Sequence, residues 1–482
     1  MSASNPGPTR RFFRGLWRFI DASRRVVLNL VFLAVLLVIV VALVKTGPGP
    51  IAAKTALVLR LDGTIAEQKT GTLRSSALDQ VRGETVQKIL LRDVLAVLDT
   101  AAADPKITSL VVILDEMRPT GFSTLREIAA GVDRFKASGK KVVAWGSSYD
   151  QRQYYVAAHA DEVYLHPLGM VYLSGFGGVR NYYKDALDKL GVTVNVMRVG
   201  TFKSAVEPFI ANAPSPAALE ADGLLYGGLW KTYVDAVEKE RKLPAGAIMR
   251  GIDEAPQRLA AAAGDAAKFA LAEKLVDALK TRDELRALMI ERGARDEDEK
   301  TFRQISFDDY LAHVKPTLTG DAIGVVIAEG EIVDGTAPAG TVGGLSTANL
   351  IRKARDDKDV KAVVLRVDSP GGSVFGSELV RRELELTRAA GKPVVVSMGD
   401  VAASGGYWIS TASDEIVADA ATITGSIGVF ALMPTADQTL AKLGVHPAGV
   451  GTTWLRNADD PRLPLDPRLA QLVQTNVDHI YR

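Results

Sequence analysis

Asp104-Pro-Lys-Ile-Thr-Ser-Leu-Val-Val-Ile-Leu-Asp115 is answered by Asp357-Lys-Asp-Val-Lys-Ala-Val-Val-Leu-Arg-Val-Asp368, at a constant offset of 253 residues. Each segment is an apolar run that ends on an aspartate. At the same offset Gly146 meets Gly399, Tyr154 meets Tyr407, and Asp161-Glu162 meets Asp414-Glu415. Self-similarity at a fixed period marks duplicated structural units. This period is far too long for a solenoid repeat, so it predicts two whole domains of one fold.

Each copy opens with an apolar strand, 56–62 in the first and 322–328 in the second. Amphipathic helices follow. Val94, Leu95, Val97, Leu98 and Ala101 carry the apolar face in one copy, and Leu350, Ile351 and Ala354 in the other. Buried strands are expected at 110–114 and 141–145, and again at 362–367 and 394–398. Strands that are apolar throughout and alternate with helices imply a parallel or mixed sheet covered on both faces, which is α/β architecture. Residues 217–289 read as mostly helical, with breaks at Gly227-Gly228 and Pro244, and 296–307 as a polar link. The first domain is therefore expected over 55–300 and the second over 321–482. Residues 467–482 have helical spacing and stop without a cap. The second copy lacks the tail that the first copy has, which reads as a fragment or a naturally short chain.

Composition excludes several function classes. A net charge of +1 over 482 residues provides no global field for nucleic acid. There are no cysteines, hence no disulfides and no thiolate chemistry. The histidines (His159, His166, His313, His446, His479) are scattered and show no metal-ligand spacing, so neither metal nor cofactor is expected.

Residues 26–44 read VVLNLVFLAVLLVIVVALV, with Asn29 the one polar side chain. Such a run matches a hydrocarbon core of about 30 Å. Arg10, Arg11, Arg14, Arg18, Arg24 and Arg25 precede it, and Lys45 follows. The positive-inside rule then makes 1–25 a cytoplasmic basic tail and 26–44 an uncleaved transmembrane helix, with the rest of the chain across the membrane. A cleaved signal peptide is the rival reading; it would have a shorter apolar core and a small-x-small site, which is not evident.

The copies differ where chemistry would sit. The second has Asp368-Ser-Pro-Gly-Gly372 and Ala403-Ser404-Gly-Gly406. The first has Arg118 and Pro119 opposite the glycine pair, and Gln151 opposite Ser404. A serine among small residues at a strand-to-helix turn can face a cleft, and outward-pointing amides at Gly371-Gly372 can stabilise an oxyanion. Such a serine needs a base. No histidine lies near either motif in sequence, and the other option is a lysine held neutral by burial. Lys203 lies in Arg198-Val-Gly-Thr-Phe-Lys-Ser-Ala-Val-Glu-Pro-Phe209, but a loop lysine ordinarily reads as a solvated charge, so sequence physics alone does not select it.

GTFKSAVEPF (200–209), DSPGGSV (368–374), GDVAASGGYWIS (399–410) and TGSIGVF (424–430), in this order, resemble the long form of signal peptide peptidase A, also called protease IV. The resemblance runs from about Arg18 to the end. It implies tandem Clp protease/crotonase-like domains and a Ser-Lys dyad, with Ser404 as nucleophile and Lys203 as general base. It also implies an oxyanion hole from amides around Gly371, Gly372 and Gly405; Ser426 is a candidate to orient Lys203. Near the second copy's counterpart of Lys203 the chain reads Thr452-Thr-Trp-Leu-Arg456, without a lysine. Family membership further implies a bowl-shaped homo-oligomer, a tetramer, at the outer face of the bacterial cytoplasmic membrane. Its substrates would be spent signal peptides and short unfolded apolar peptides. Single-domain relatives, among them those acting on stomatin-like partners, are disfavoured by the duplication. An acyl-CoA enzyme of crotonase type is disfavoured by the anchor and the Ser404 context. An inactive scaffold is the remaining rival.

Overall fold

Thr55–Arg60 (β1) is buried at every position but the last, as expected of a strand enclosed on both faces. The computed structural model describes residues 8–45, 49–70, 88–314 and 319–482. Two compact units are resolved, Met1–Ala52 and Ala53–Arg482. Among its described residues the first holds one helix, α1 (Pro8–Lys45), opened by a proline whose missing N–H costs nothing at that position. The large apolar side chains along α1 between Val26 and Val38 are exposed. Among the described residues no helix is long and apolar enough to cross a membrane. The side chains of 39–44, which end the stretch read as a span, lie outside the described residues.

In the second unit β1 is followed by α2 (Leu91–Ala103), β2 (Ile107–Ile113), α3 (Phe122–Ala137), β3 (Lys141–Gly146), α4 (Gln151–Ala157) and β4 (Glu162–Leu165). Then come β5 (Thr193–Val199), α5 (Pro216–Glu240), β6 (Ala278–Leu279) and β7 (Gln304–Ser306). Six of these strands form one parallel sheet in the order β6-β4-β3-β2-β1-β7. The pattern then recurs as β8 (Ala322–Glu329), α6 (Gly344–Asp356), β9 (Val360–Ser369), α7 (Val374–Ala389), β10 (Val394–Ala403), α8 (Gly405–Ser410) and β11 (Glu415–Val417). The second sheet runs β8-β9-β10-β11, and β12 (Ile423–Gly425) also pairs with β10, all in parallel. The chain closes with β13 (Val429–Thr435) and α9 (Pro467–Tyr481), a helix that Asp466 caps.

The sheets have separate cores. Val363, Leu365, Val380, Leu384 and Val396 are fully buried in the second, and Val111, Val143 and Trp145 anchor one side of the first. Each fully buried aliphatic side chain contributes about 1.5–3 kcal/mol. The halves are stitched by an antiparallel ladder in which β5 lies along β13, with Val199 opposite Val429 and Thr193 opposite Thr435; α9 packs on both strands.

Several expectations are corrected. Gly227-Gly228 does not break α5: Leu229, Tyr233, Val234 and Val237 bury one continuous face, and that packing outweighs the roughly 1 kcal/mol per glycine. Leu350 is exposed, because the buried face of α6 runs through Thr347, Ala348 and Ile351. The stretch read as a polar link supplies β7, held to the first sheet beside β1 by buried Phe302 and Phe307. Finally, β10 runs five residues past its expected end, to Ala403.

Candidate active site

Ser404 sits where β10 turns into α8, with φ 55° and ψ −116°. A side chain at positive φ there costs on the order of 1–3 kcal/mol and persists only if the surroundings impose it. Here β12 pairs with the end of β10 up to Ala403, and Ser404 N–H donates to Gly425 O at 2.8 Å. The strained turn lifts the side chain out of the sheet into a cleft of about 820 Å³.

Lys203 reaches the same cleft from the other half. It follows β5, and the β5–β13 ladder brings the two loops together. Its side chain is buried, 6 % exposed. Nζ lies 3.1 Å from Ser404 Oγ, 2.8 Å from Ser426 O and 3.0 Å from Ser426 Oγ. Among the described residues no carboxylate pairs with it, and burial pushes its pKa below the ordinary 10.5. Ser426 is itself at positive φ, 52°. Gly428 makes the approach possible: a Cβ there would stand 2.6 Å from Val199 O and 3.1 Å from Lys203 Cβ.

The Gly371-Gly372 turn lies against the start of α8. At Gly371 φ is 97°, and a Cβ would come 2.5 Å from Gly405 N and 2.8 Å from Ser404 Cβ. Its own amide is engaged, donating to Ser369 Oγ at 3.2 Å. The amides of Gly372 and Gly405 have no hydrogen-bond partner among the described residues. So of the three amides expected at an oxyanion hole, two are free beside Ser404 and the third is spent inside the turn.

Peptidase family S49 matches residues 134–294 and 387–482. Protease 4 of Salmonella typhi is 41% identical over 478 residues, 98% of this chain and 77% of its own length. The chain belongs to peptidase family S49. Protease 4 of Haemophilus influenzae is 39% identical, over 96% of this chain and 77% of its own. The chloroplastic serine protease SPPA of Arabidopsis thaliana is 29% identical, over 86% and 61%. Among solved structures, a membrane-bound stomatin-specific protease aligns with 53% of this chain and 91% of its own at 12% identity, with a TM-score of 0.24. The protein is a serine peptidase of the signal peptide peptidase A, or protease IV, group.

In this S49 chain the cleft wall is largely apolar near Ser404, with Val374, Trp408, Ile427, Val429 and Phe430 lining it. Further along, Arg381 grips Glu378 through two hydrogen bonds of 2.7 and 2.8 Å, and Trp408 Nε1–H donates to the same carboxylate at 3.0 Å. Behind the glycine turn, Asp368 accepts from Val401 N–H at 2.9 Å. Its carboxyl is pushed up to about 6, first by burial and then by the neighbouring Asp400 charge.

All six site residues named from the sequence line this one cleft: Lys203, Gly371, Gly372, Ser404, Gly405 and Ser426. Sequence reasoning missed Gly428 and the β5–β13 ladder. The signal for the first lay inside the TGSIGVF motif, whereas two edge strands more than 200 residues apart leave no local trace.

Proposed function

We propose that the protein is a membrane-anchored serine endopeptidase in which Ser404 is the nucleophile and Lys203 the general base. The observation that carries this reading is the 3.1 Å approach of a buried lysine amine, without an acidic partner among the described residues, to a serine hydroxyl on a strained turn. A neutral amine has two N–H bonds and one lone pair. Ser426 O and Oγ are placed to accept the two N–H bonds, which leaves the lone pair for the Ser404 hydroxyl proton. Lys203 takes that proton as Oγ attacks the scissile carbonyl, then gives it to the leaving amine. A water attacks the acyl-enzyme by the same route in reverse. The developing oxyanion is met by the Gly372 and Gly405 amides, each worth about 3–4 kcal/mol in the transition state. Gly371 acts by shaping the turn.

On this reading residues 55–300 form a domain that supplies the base, and 321–482 one that supplies the nucleophile. The apolar cleft suits spent signal peptides and other short unfolded apolar peptides. The exposed apolar side chains of α1 support residues 26–44 as a single-pass anchor in a bacterial cytoplasmic membrane, with the N-terminus inside and the peptidase on the periplasmic side. A homo-oligomer, a tetramer by family resemblance, completes the proposal.

The deciding test is cleavage of a fluorogenic apolar peptide by wild type, Ser404→Ala and Lys203→Ala, with a serine-reactive probe as second readout. Wild type should cleave, both variants should lose activity, and labelling of Ser404 should weaken in Lys203→Ala. Undiminished cleavage by Lys203→Ala would withdraw the lysine. For the anchor, alkaline extraction of membranes should leave the chain with the lipid; its release would overturn that part.

A further inference from the structure

Contacts between the two sheet systems converge on the first turns of α3. This helix has Gly121 as its N-cap and no capping side chain of its own. Asp400, on β10 in the other half, takes that role. Its Oδ1 accepts from Thr124 N–H at 2.8 Å and its Oδ2 from the Thr124 hydroxyl at 2.7 Å. Any Cβ at residue 121 would overlap the Asp400 carboxyl. Two more residues of α3 reach across: Arg126 Nε donates to Asp419 Oδ1 at 2.6 Å, and Glu127 Oε1 accepts from Arg366 at 2.5 Å.

Asp400 is also part of an irregularity in β10. Residues 367 to 369 of β9 span 398 to 402 of β10, so Gly399, Asp400 and Val401 bulge from the ladder. The bulge is pinned by Val401 N–H on Asp368 Oδ1 and by the Thr422 hydroxyl on Gly399 O, each at 2.9 Å. On its other edge Val401, Ala402 and Ala403 pair with β12 and lead into the strained Ser404. The carboxylate that caps a helix of the first half thus stands four residues from the reactive serine of the second.

We infer that Asp400 is a positioning residue, coupling the seating of α3 against the second half to the turn that presents Ser404. A bulge has lost part of its ladder bonding, so its conformation depends on what holds it from outside. Within the second half that is Asp368, Thr422 and the pairing of Val401 with Ile423, and from the first half it is the Asp400–Thr124 contact. Without the latter, Asp400 has no anchor in the first half, the bulge can shift, and Ser404 loses part of the support that keeps it at positive φ. The inference rests on Ser404 being the nucleophile.

The test measures kcat and KM on a fluorogenic peptide together with amide hydrogen exchange, for wild type, Asp400→Ala and Asp400→Asn. Asp400→Ala should lower kcat about 10-fold or more, since small displacements of a reacting group are costly, with KM within about twofold. Exchange should rise together at 122–126 and 399–405. Asp400→Asn should recover most of kcat, because its carbonyl still accepts from Thr124 N–H and its NH₂ can donate to the hydroxyl. Unchanged kcat in Asp400→Ala, or faster exchange confined to 122–126, would reduce Asp400 to a plain helix cap and overturn the inference. An Asn variant as slow as Ala despite restored exchange protection would do the same. Should Asp400→Ala fail to fold, Thr124→Val, which removes only the hydroxyl contact, replaces it with the same opposing outcomes at smaller size. A wild type that cleaves nothing and leaves Ser404 unlabelled would defeat the peptidase reading separately, and the exchange arm would still decide the coupling.

Discussion

The role proposed for Lys203 as base depends on where the residue is kept. Its stem is buried and no acid among the described residues pairs with it, so the neutral amine is favoured more than in water. A guanidinium in its place stays protonated. Lys203→Arg should therefore be as inactive as Lys203→Ala, each down on the order of 10³-fold in kcat, measured on the same peptide. The active form is the deprotonated one, so kcat/KM should climb with pH and level off below the ordinary lysine value of 10.5. A climb that continues past that value would contradict a buried neutral base. Asp368 titrates in the opposite sense to a paired carboxylate. With its folded-state value raised to about 6 from 3.8, the folded protein binds the proton more tightly than the unfolded chain between those values. Stability from this group is therefore full in acid and is lost as pH rises through 6. An asparagine keeps the acceptor for Val401 N–H and carries no charge. Asp368→Asn should gain about 1–3 kcal/mol at about pH 7.5 and nothing near pH 4, read by urea denaturation at the two pH values.

At the scale of elements, the strands that build the sheets were legible and the strand pair that builds the site was not. The runs ending at Asp115 and Asp368 are mostly apolar, as expected of strands covered on both faces, and β2 and β9 are the result; the exception in the second run, Arg366, is a residue that pairs across to the first half. The serine turn was legible too, because small residues crowd it. Gly227-Gly228 misled, since packing of α5 overrides the local penalty of glycine. The ladder from Thr193 opposite Thr435 to Val199 opposite Val429 was not legible: both segments have strand-like composition, but which distant segment pairs with which is a tertiary fact. Lys203 was for that reason chosen by resemblance and not by physics. This ladder sets the depth of the lysine, and Gly428 is where the clearance is least. Gly428→Ala would push its Cβ against Val199 O and the Lys203 stem, at a φ of 148° that a side chain rarely adopts. Activity should fall about 100-fold, the order expected when a catalytic group is moved by about an ångström. The stability loss should stay near 1–3 kcal/mol. A variant that loses stability but keeps kcat would show that the lysine does not depend on this clearance.

Across the whole Ala53–Arg482 unit, the proposed dyad requires the two halves to hold one relative position, because the Lys203 amine carried by one has to meet the Ser404 hydroxyl carried by the other within hydrogen-bond reach. Apolar contact alone is non-directional and permits sliding. Charged contacts do not, and one lies at the join: Arg366 of β9 donates to Glu67 at 2.8 Å and to Glu127 at 2.5 Å, both from the first half, with a third bond of 2.9 Å to Ser397 Oγ. Its side chain is 12 % exposed, so each misfit leaves charge buried. Burial already raises the Glu127 carboxyl above its usual range although Arg366 pulls it down. In Arg366→Met two carboxylates face each other with no cation between them, and removing one partner of a buried pair costs about 3–5 kcal/mol. The carboxylates can escape that cost by taking a proton. A group whose folded-state pKa is raised stabilises in acid and loses that stability as pH rises through the folded value. The deficit of Arg366→Met should therefore be largest near pH 8 and shrink towards pH 5, and adding Glu127→Gln should restore part of it at the higher pH. Denaturant unfolding of the single and double variants across that range checks this. A deficit that is independent of pH, or one that Glu127→Gln deepens, would mean that Arg366 serves the join through packing of its stem and not through its charge.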